Sequence, residues 1–177
     1  MKALSDKIGS VLVIGGGIGG MQASLDLADS GFRVYLLEKD TAIGGRMAML
    51  DKTFPTNDCA MCTIAPRLVG TARHHNIHML SYSELVSVEG DEGHFYVKIL
   101  KKTRYIDEYK CTGCGICAEH CPVEAIDRYN LGLIRQSGVY LSYPQAIPRI
   151  FTINREKCIG CGVCANLCGT GAVNYSL

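Results

Sequence analysis

Hydrophobic and polar positions divide the chain into a first half of alternating strand and helix signals and a second half built on a repeat. Val11-Leu12-Val13-Ile14 is an unbroken apolar run, as expected of a parallel strand covered on both faces. A helix is predicted from about Ile18 to Ser30, because Ile18, Met21, Leu25 and Ala28 recur on one face and Gly31 stands where a left-handed cap belongs. Arg33-Val34-Tyr35-Leu36-Leu37 is the next predicted strand, ending at Glu38. Residues 41–75 are less periodic, with a helix expected around Ala65–His75. From Ile77 to about Ile99 the pattern is strand-like, with turns at Ser81–Ser83 and Gly90–Gly93. Lys101-Lys102-Thr103-Arg104 marks a domain edge and reads as a solvated connector.

The segments Tyr105–Tyr129 and Phe151–Tyr175 each contain four cysteines at the same spacing, followed by Ala-Ile-Asp or Ala-Val-Asn. One such repeat buries little; two packed together bury a core. Between them Asn130–Arg149, with Pro144 and Pro148, is longer than a minimal connection. The expected division is therefore residues 1–103 and 104–177.

Composition narrows the class. The chain has 177 residues, 47% of them hydrophobic, enough for one or two small domains. A formal net charge of +1 provides no field for nucleic acid or an anionic membrane. No apolar run approaches the roughly 20 residues of a spanning helix, so no membrane insertion is expected. The opening Met1–Lys7 is polar and charged and lacks the apolar stretch of a secretory signal, which makes the cytoplasm the expected location. Ten cysteines in such a compartment point to metal more than to disulfides.

Cys111, Cys114, Cys117 and Cys121 form one run, and Cys158, Cys161, Cys164 and Cys168 the other. Both are C-x₂-C-x₂-C-x₃-C, which is similar to the bacterial ferredoxin run. Gly113, Gly115, Gly160 and Gly162 permit the close backbone wrapping that a cubane needs. The resemblance assigns the fourth cysteine to the other cluster. Cys111, Cys114, Cys117 and Cys168 then hold one [4Fe–4S] cluster, and Cys158, Cys161, Cys164 and Cys121 the other. A pair of zinc sites is the competing reading, although zinc ribbons usually separate two short cysteine arms by a longer loop. His74, His75 and His78 read as a polar helix end, and His120 as either a neighbour of Cys121 or a solvent-facing side chain.

Gly15-Gly16-Gly17-Ile18-Gly19-Gly20 contains G-x-G-x-x-G between a predicted strand and a predicted helix, with Glu38 about twenty residues on. Gly15 allows the turn, Gly17 admits a pyrophosphate, Gly20 packs helix on strand, and Glu38 would accept from a ribose. The Ile18 and Gly19 amides belong to the same phosphate-binding turn. The continuation from Glu38 and Lys39 to Gly44-Gly45-Arg46 resembles the segment after the second strand in FAD-binding oxidoreductases with two dinucleotide domains. There a Gly-Gly-Arg turn lies against the flavin, which makes FAD the expected cofactor and adds Lys39, Gly45 and Arg46 to its site.

Cys59 and Cys62 stand apart in Thr-Asn-Asp-Cys-Ala-Met-Cys-Thr-Ile-Ala-Pro-Arg. They read as part of a further cluster's ligand set, as a redox dithiol, or as two buried thiols. Three more stretches complete a pattern: Phe54-Pro55 before the pair, Lys102-Thr103-Arg104-Tyr105-Ile106-Asp107, and Tyr143-Pro144-Gln145-Ala146-Ile147-Pro148. Over nearly its whole length the chain resembles the N-terminal part of the A-subunit family of heterodisulfide reductases. That resemblance implies an α/β fold: a partial Rossmann-like FAD-binding βαβ unit followed by an α+β bacterial-type 2[4Fe–4S] ferredoxin domain. It also implies an electron-transfer component of a cytoplasmic anaerobic complex in which the flavin can bifurcate electron pairs, and it tilts Cys59 and Cys62 towards iron–sulfur ligation. Family members continue beyond this point, so a partner chain is expected to complete the FAD domain and the Cys59/Cys62 ligand set. A zinc-containing assembly module and a stand-alone flavin disulfide reductase using Cys59 and Cys62 are the alternatives.

Overall fold

The computed structural model describes residues 9–177. The polar opening segment read from Met1–Lys7 lies outside the described residues. The first unit is a three-stranded parallel sheet in the order β1-β2-β3, with β1 at Ser10–Ile14, β2 at Arg33–Leu37 and β3 at Ile77–Leu80. Register pairs Val11 with Val34 and Ile14 with Leu37, and on the far side Val34 with Ile77. Two parallel neighbours and covering helices make β2 the most enclosed strand, and Val34, Leu36 and Leu37 are buried.

Helix α1, Ile18–Asp29, buries Met21 and Ala28 of the predicted face together with Ser24, while Leu25 is half-buried and Ile18, at the helix start, is exposed. It ends on Gly31 at φ +90°, whose amide and that of Phe32 close the last turn onto Ala28 and Leu27 carbonyls. Helix α2 spans Ala60–Arg73 and so begins five residues before the expected start at Ala65. The reason is Pro66, which reads as a first-turn residue but sits inside the second turn, while Cys59 provides the N-cap by accepting the Cys62 amide. Ala60, Ile64, Leu68 and Thr71 form its buried face. Met21, Leu36, Ile64 and Leu68 meet in one core beneath the sheet.

A long antiparallel hairpin follows, β4 at Ser83–Asp91 and β5 at His94–Lys101, with a bulge between Leu85 and Ser87. Most of its side chains are exposed, including Phe95 and Tyr96. The cysteine-rich half holds two single-turn helices, α3 at Ile116–Glu119 and α4 at Val163–Leu167. Two small antiparallel pairs frame them: β6 Glu124–Ile126 with β7 Arg135–Ser137, and β8 Val139–Tyr140 with β9 Thr152–Ile153. The end of the second repeat returns to the start of the first through a bridge between Ile106 and Val173. Ile106, Val139, Phe151, Ile153, Cys164 and Ala172 form the core of this half, with Cys111, Cys117, Cys121, Cys158 and Cys168 packed on it.

A third core, Ala42, Ala48, Tyr143 and Ala146, lies between the halves. Arg104 anchors the same seam, and here the sequence-based expectation is corrected. It is only 2% exposed and not a solvated connector. Its guanidinium donates to the Thr41 carbonyl (2.7 Å), Ser81 Oγ (2.9 Å), Thr152 Oγ1 (3.0 Å) and Glu108 Oε1 (3.0 Å). A planar fork with five donors can satisfy that many acceptors from one side chain.

Candidate functional site

The glycine turn is shaped by what cannot fit in it. Gly15 leaves β1 at φ +101° and its amide donates to the Leu37 carbonyl at 2.7 Å. A Cβ on Gly20 would stand 1.8 Å from the Gly15 carbonyl oxygen, so only glycine lets α1 start this close to the strand. At Gly17 and Gly19 the space a Cβ would take is open. No side chain caps α1, and its first turn holds no acidic residue. The first-turn amides of Ile18, Gly19 and Gly20 thus face an open approach, and helix polarity favours an anion there.

Glu38 closes the turn from the end of β2. Buried to 6% exposure, it accepts the Gly16 amide at 2.7 Å and the Asp40 amide at 2.8 Å, one on each carboxylate oxygen. A carboxylate has about four acceptor positions, so capacity remains for a ribose hydroxyl. Gly44-Gly45 lies directly on the loop: the Gly44 amide donates to the Gly16 carbonyl at 2.7 Å, and a Cβ on Gly45 would stand 3.0 Å from Gly17 Cα. Lys39 and Arg46 are both exposed. Packing also requires glycine at Gly16 and Gly44, neither of which the sequence pattern assigns a role. Gly16 is packed against Ile43 Cγ2, 2.6 Å from where its Cβ would be, and Gly44 adopts φ +125°. Their signal was the extra glycine in each cluster of glycines.

Both cysteine runs take the same backbone path. Gly113 and Gly160 have φ of +68° and +69°, and Gly115 and Gly162 introduce α3 and α4 from the left-handed region at +91° and +77°. A cavity in this half is lined by Cys121 together with Cys158, Cys161 and Cys164, and closed by Val123, Val139 and Tyr175. Four thiols around one apolar hollow suit a cubane with one ligand on each iron. Sulfur acceptors already have donors: the Gly160 amide lies 3.4 Å from Cys158 Sγ, the Ala172 amide 3.3 Å from Cys168 Sγ, and Tyr175 Oη 3.1 Å from Cys164 Sγ. The Thr170 hydroxyl beside Cys168 lowers that thiol's pKa. Burial pushes the Cys117 thiol up to about 11, with Cys111, Cys114 and Cys164 close enough to add to the rise. Cys168 packs on the same core as Cys111 and Cys117.

The remaining candidates fall elsewhere. Cys59 and Cys62 are joined as a disulfide at the start of α2. His74 pairs with Asp29 at 3.2 Å and stacks on His75 at the end of α2, as expected, whereas His78 is not part of the helix end but stands in β3, stacked on Tyr35. His120 places Nδ1 3.1 Å from the Ile116 carbonyl, within its own turn.

Two family models match these two halves: an NAD(P)-binding Rossmann-like domain over residues 13–81 and a 4Fe-4S dicluster domain over residues 110–172. The class is therefore a dinucleotide-binding unit joined to a domain for two [4Fe–4S] clusters. The chain is 57% identical over 142 residues to an iron-sulfur A-subunit of CoB--CoM heterodisulfide reductase from Methanopyrus kandleri, covering 80% of this chain and 22% of that protein. It is 51% identical over 166 residues to the corresponding iron-sulfur A-subunit from Methanocaldococcus jannaschii, covering 94% and 25%. Over the aligned residues it is a homologue of these heterodisulfide reductase A-subunits, and it spans about a quarter or less of those relatives' length. Among solved structures, L-proline dehydrogenase from P. horikoshii gives a TM-score of 0.44 at 23% identity over 54% of this chain and 20% of that one.

Proposed function

We propose that this chain is the flavin- and iron–sulfur-binding portion of an oxidoreductase of the heterodisulfide reductase type, passing electrons between FAD and two [4Fe–4S] clusters. The observation that supports this reading best is the cavity that gathers Cys121 with Cys158, Cys161 and Cys164. Those four hold one cluster; Cys111, Cys114, Cys117 and Cys168 hold the other. Bound FAD handles electrons in pairs and the clusters handle them singly, which is the chemistry such a pairing supplies.

The chain's own residues bind and orient. Gly15 makes the turn, Gly17, Ile18, Gly19 and Gly20 receive the pyrophosphate on backbone amides, and Glu38 takes the adenosine ribose. Lys39 offers a cation at the rim. Gly45 and Arg46 lie against the flavin. The functional division follows residues 1–103 for FAD and 104–177 for the clusters. Of the second-run thiols Cys164 is buried, Cys158 half-buried and Cys161 exposed.

In this reading the chain works in the cytoplasm within a multi-subunit redox complex, where further polypeptide completes the FAD domain and bifurcation of electron pairs is possible. Among the described residues no helix is long and apolar enough to cross a membrane. Cys59 and Cys62 join ligands from that further polypeptide at another [4Fe–4S] cluster. A second reading, favoured by their pairing in the structure, makes them a redox dithiol. Replacing both separates the two: lost iron in the assembled complex means ligands, while lost thiol exchange with iron unchanged means a dithiol. For the main reading, FAD titration of the anaerobically assembled complex should give saturable binding that Glu38→Ala abolishes. Equal binding by the variant would overturn the assignment of the turn.

A further inference from the structure

The connector between the two cysteine runs touches three places at once. At one end Gly138 packs beside the second-run cavity: a Cβ there would stand 3.4 Å from Cys121 Sγ, and its amide donates to the Val123 carbonyl at 2.7 Å. At the other end Arg149 lies over the first run, its Nε donating to the Gly113 carbonyl at 3.3 Å. Between them the chain crosses to the first half. The Ile43 amide donates to the Ile147 carbonyl at 2.8 Å, and the Tyr143 hydroxyl donates to the Ile43 carbonyl. Ile43 is fully buried and leads directly into Gly44, whose amide holds the Gly16 carbonyl. Gly16 in turn donates to Glu38. The chain of contacts thus runs from both cysteine runs, through Tyr143 and Ile147, to the dinucleotide turn.

We propose that Tyr143 is a positioning residue for the dinucleotide turn, and that the connector strap makes nucleotide affinity depend on the cysteine-rich half being correctly assembled. This rests on the FAD reading for its ligand, but not for its mechanics. Removing the hydroxyl while keeping the ring isolates the effect, because the Tyr143 ring also stacks on Tyr129 with centroids 6.1 Å apart and fills the seam core. A buried carbonyl that loses its donor has to be satisfied by moving, and here the group that can move is the Ile43–Gly45 turn.

The test uses the cluster-loaded chain and its Tyr143→Phe variant. Hydrogen exchange, read without nucleotide, should be faster in the variant by about tenfold at the Ile43, Gly44 and Gly16 amides. Amides of β2 outside the turn should be unchanged. FAD titration of the assembled complex should show about tenfold weaker binding, with iron and acid-labile sulfide per chain at the parent level. Unchanged protection at those amides overturns the strap. Faster exchange with unaltered FAD affinity overturns the positioning role. If the complex with the further polypeptide that completes the FAD domain binds no FAD, the flavin reading fails, and the exchange experiment still decides whether the strap holds the turn.

Discussion

At single positions the packing leaves sharp consequences. Gly20→Ala puts a methyl group 1.8 Å from a carbonyl oxygen. That overpacking should cost about 1–3 kcal/mol in denaturant unfolding and abolish nucleotide binding. Arg104→Met strands the Thr41 carbonyl, Ser81, Thr152 and Glu108 in the seam. The expected loss is about 3–5 kcal/mol, and Arg104→Lys should recover less than half, because an ammonium has no planar fork. Ser24 and Thr71 are the converse: buried hydroxyls without a partner among the described residues. Ser24→Ala should therefore leave the midpoint of thermal unfolding unchanged or raise it. Cys117 adds a pH dependence. Its thiol is pushed up to about 11 from an ordinary value of 9.0, so the neutral form is favoured in the folded apo chain. The stabilisation is present below pH 9 and is lost as pH rises towards about 11. Iron uptake must displace that proton, so reconstitution should release acid and quicken with rising pH, measurable by pH-stat.

Among the elements, the sequence was most legible where one period ran without interruption. The strand at Arg33–Leu37 and the helix from Ile18 matched their predicted bounds, because a parallel strand and its crossover helix are specified by burial alone. The start of α2 was not legible, since Pro66 mimics a first-turn signal and a cysteine N-cap has no strong sequence signature. Arg104 was misread for a related reason: a basic cluster shows its charges but not which one turns inward, and only the fold brings Thr41, Ser81 and Thr152 to one guanidinium. The hairpin of β4 and β5 was expected, but its exposure was not. An isolated two-stranded ribbon is marginal in water. Its amides should therefore exchange faster than those of β2, as measured by mass spectrometry on the intact chain.

For the whole molecule, the cysteine spacing already implied two clusters, and the repeat implied that both runs share a core. What the sequence concealed was how the halves are joined. Tyr143, Ala146 and Ile147 belong to a connector with no periodic pattern, so their contacts with Ile43 and Gly44 could not be read from spacing. The central claim is crossed ligation, in which Cys121 belongs with Cys158, Cys161 and Cys164. Iron and acid-labile sulfide counting on paired variants tests it directly, the parent holding about eight of each. Cys121→Ala combined with Cys158→Ala removes two ligands of one cluster and should retain about four irons, whereas Cys121→Ala with Cys111→Ala strikes both clusters and should retain almost none. The reverse pattern, or zinc in place of iron and sulfide in the parent protein, would contradict the account.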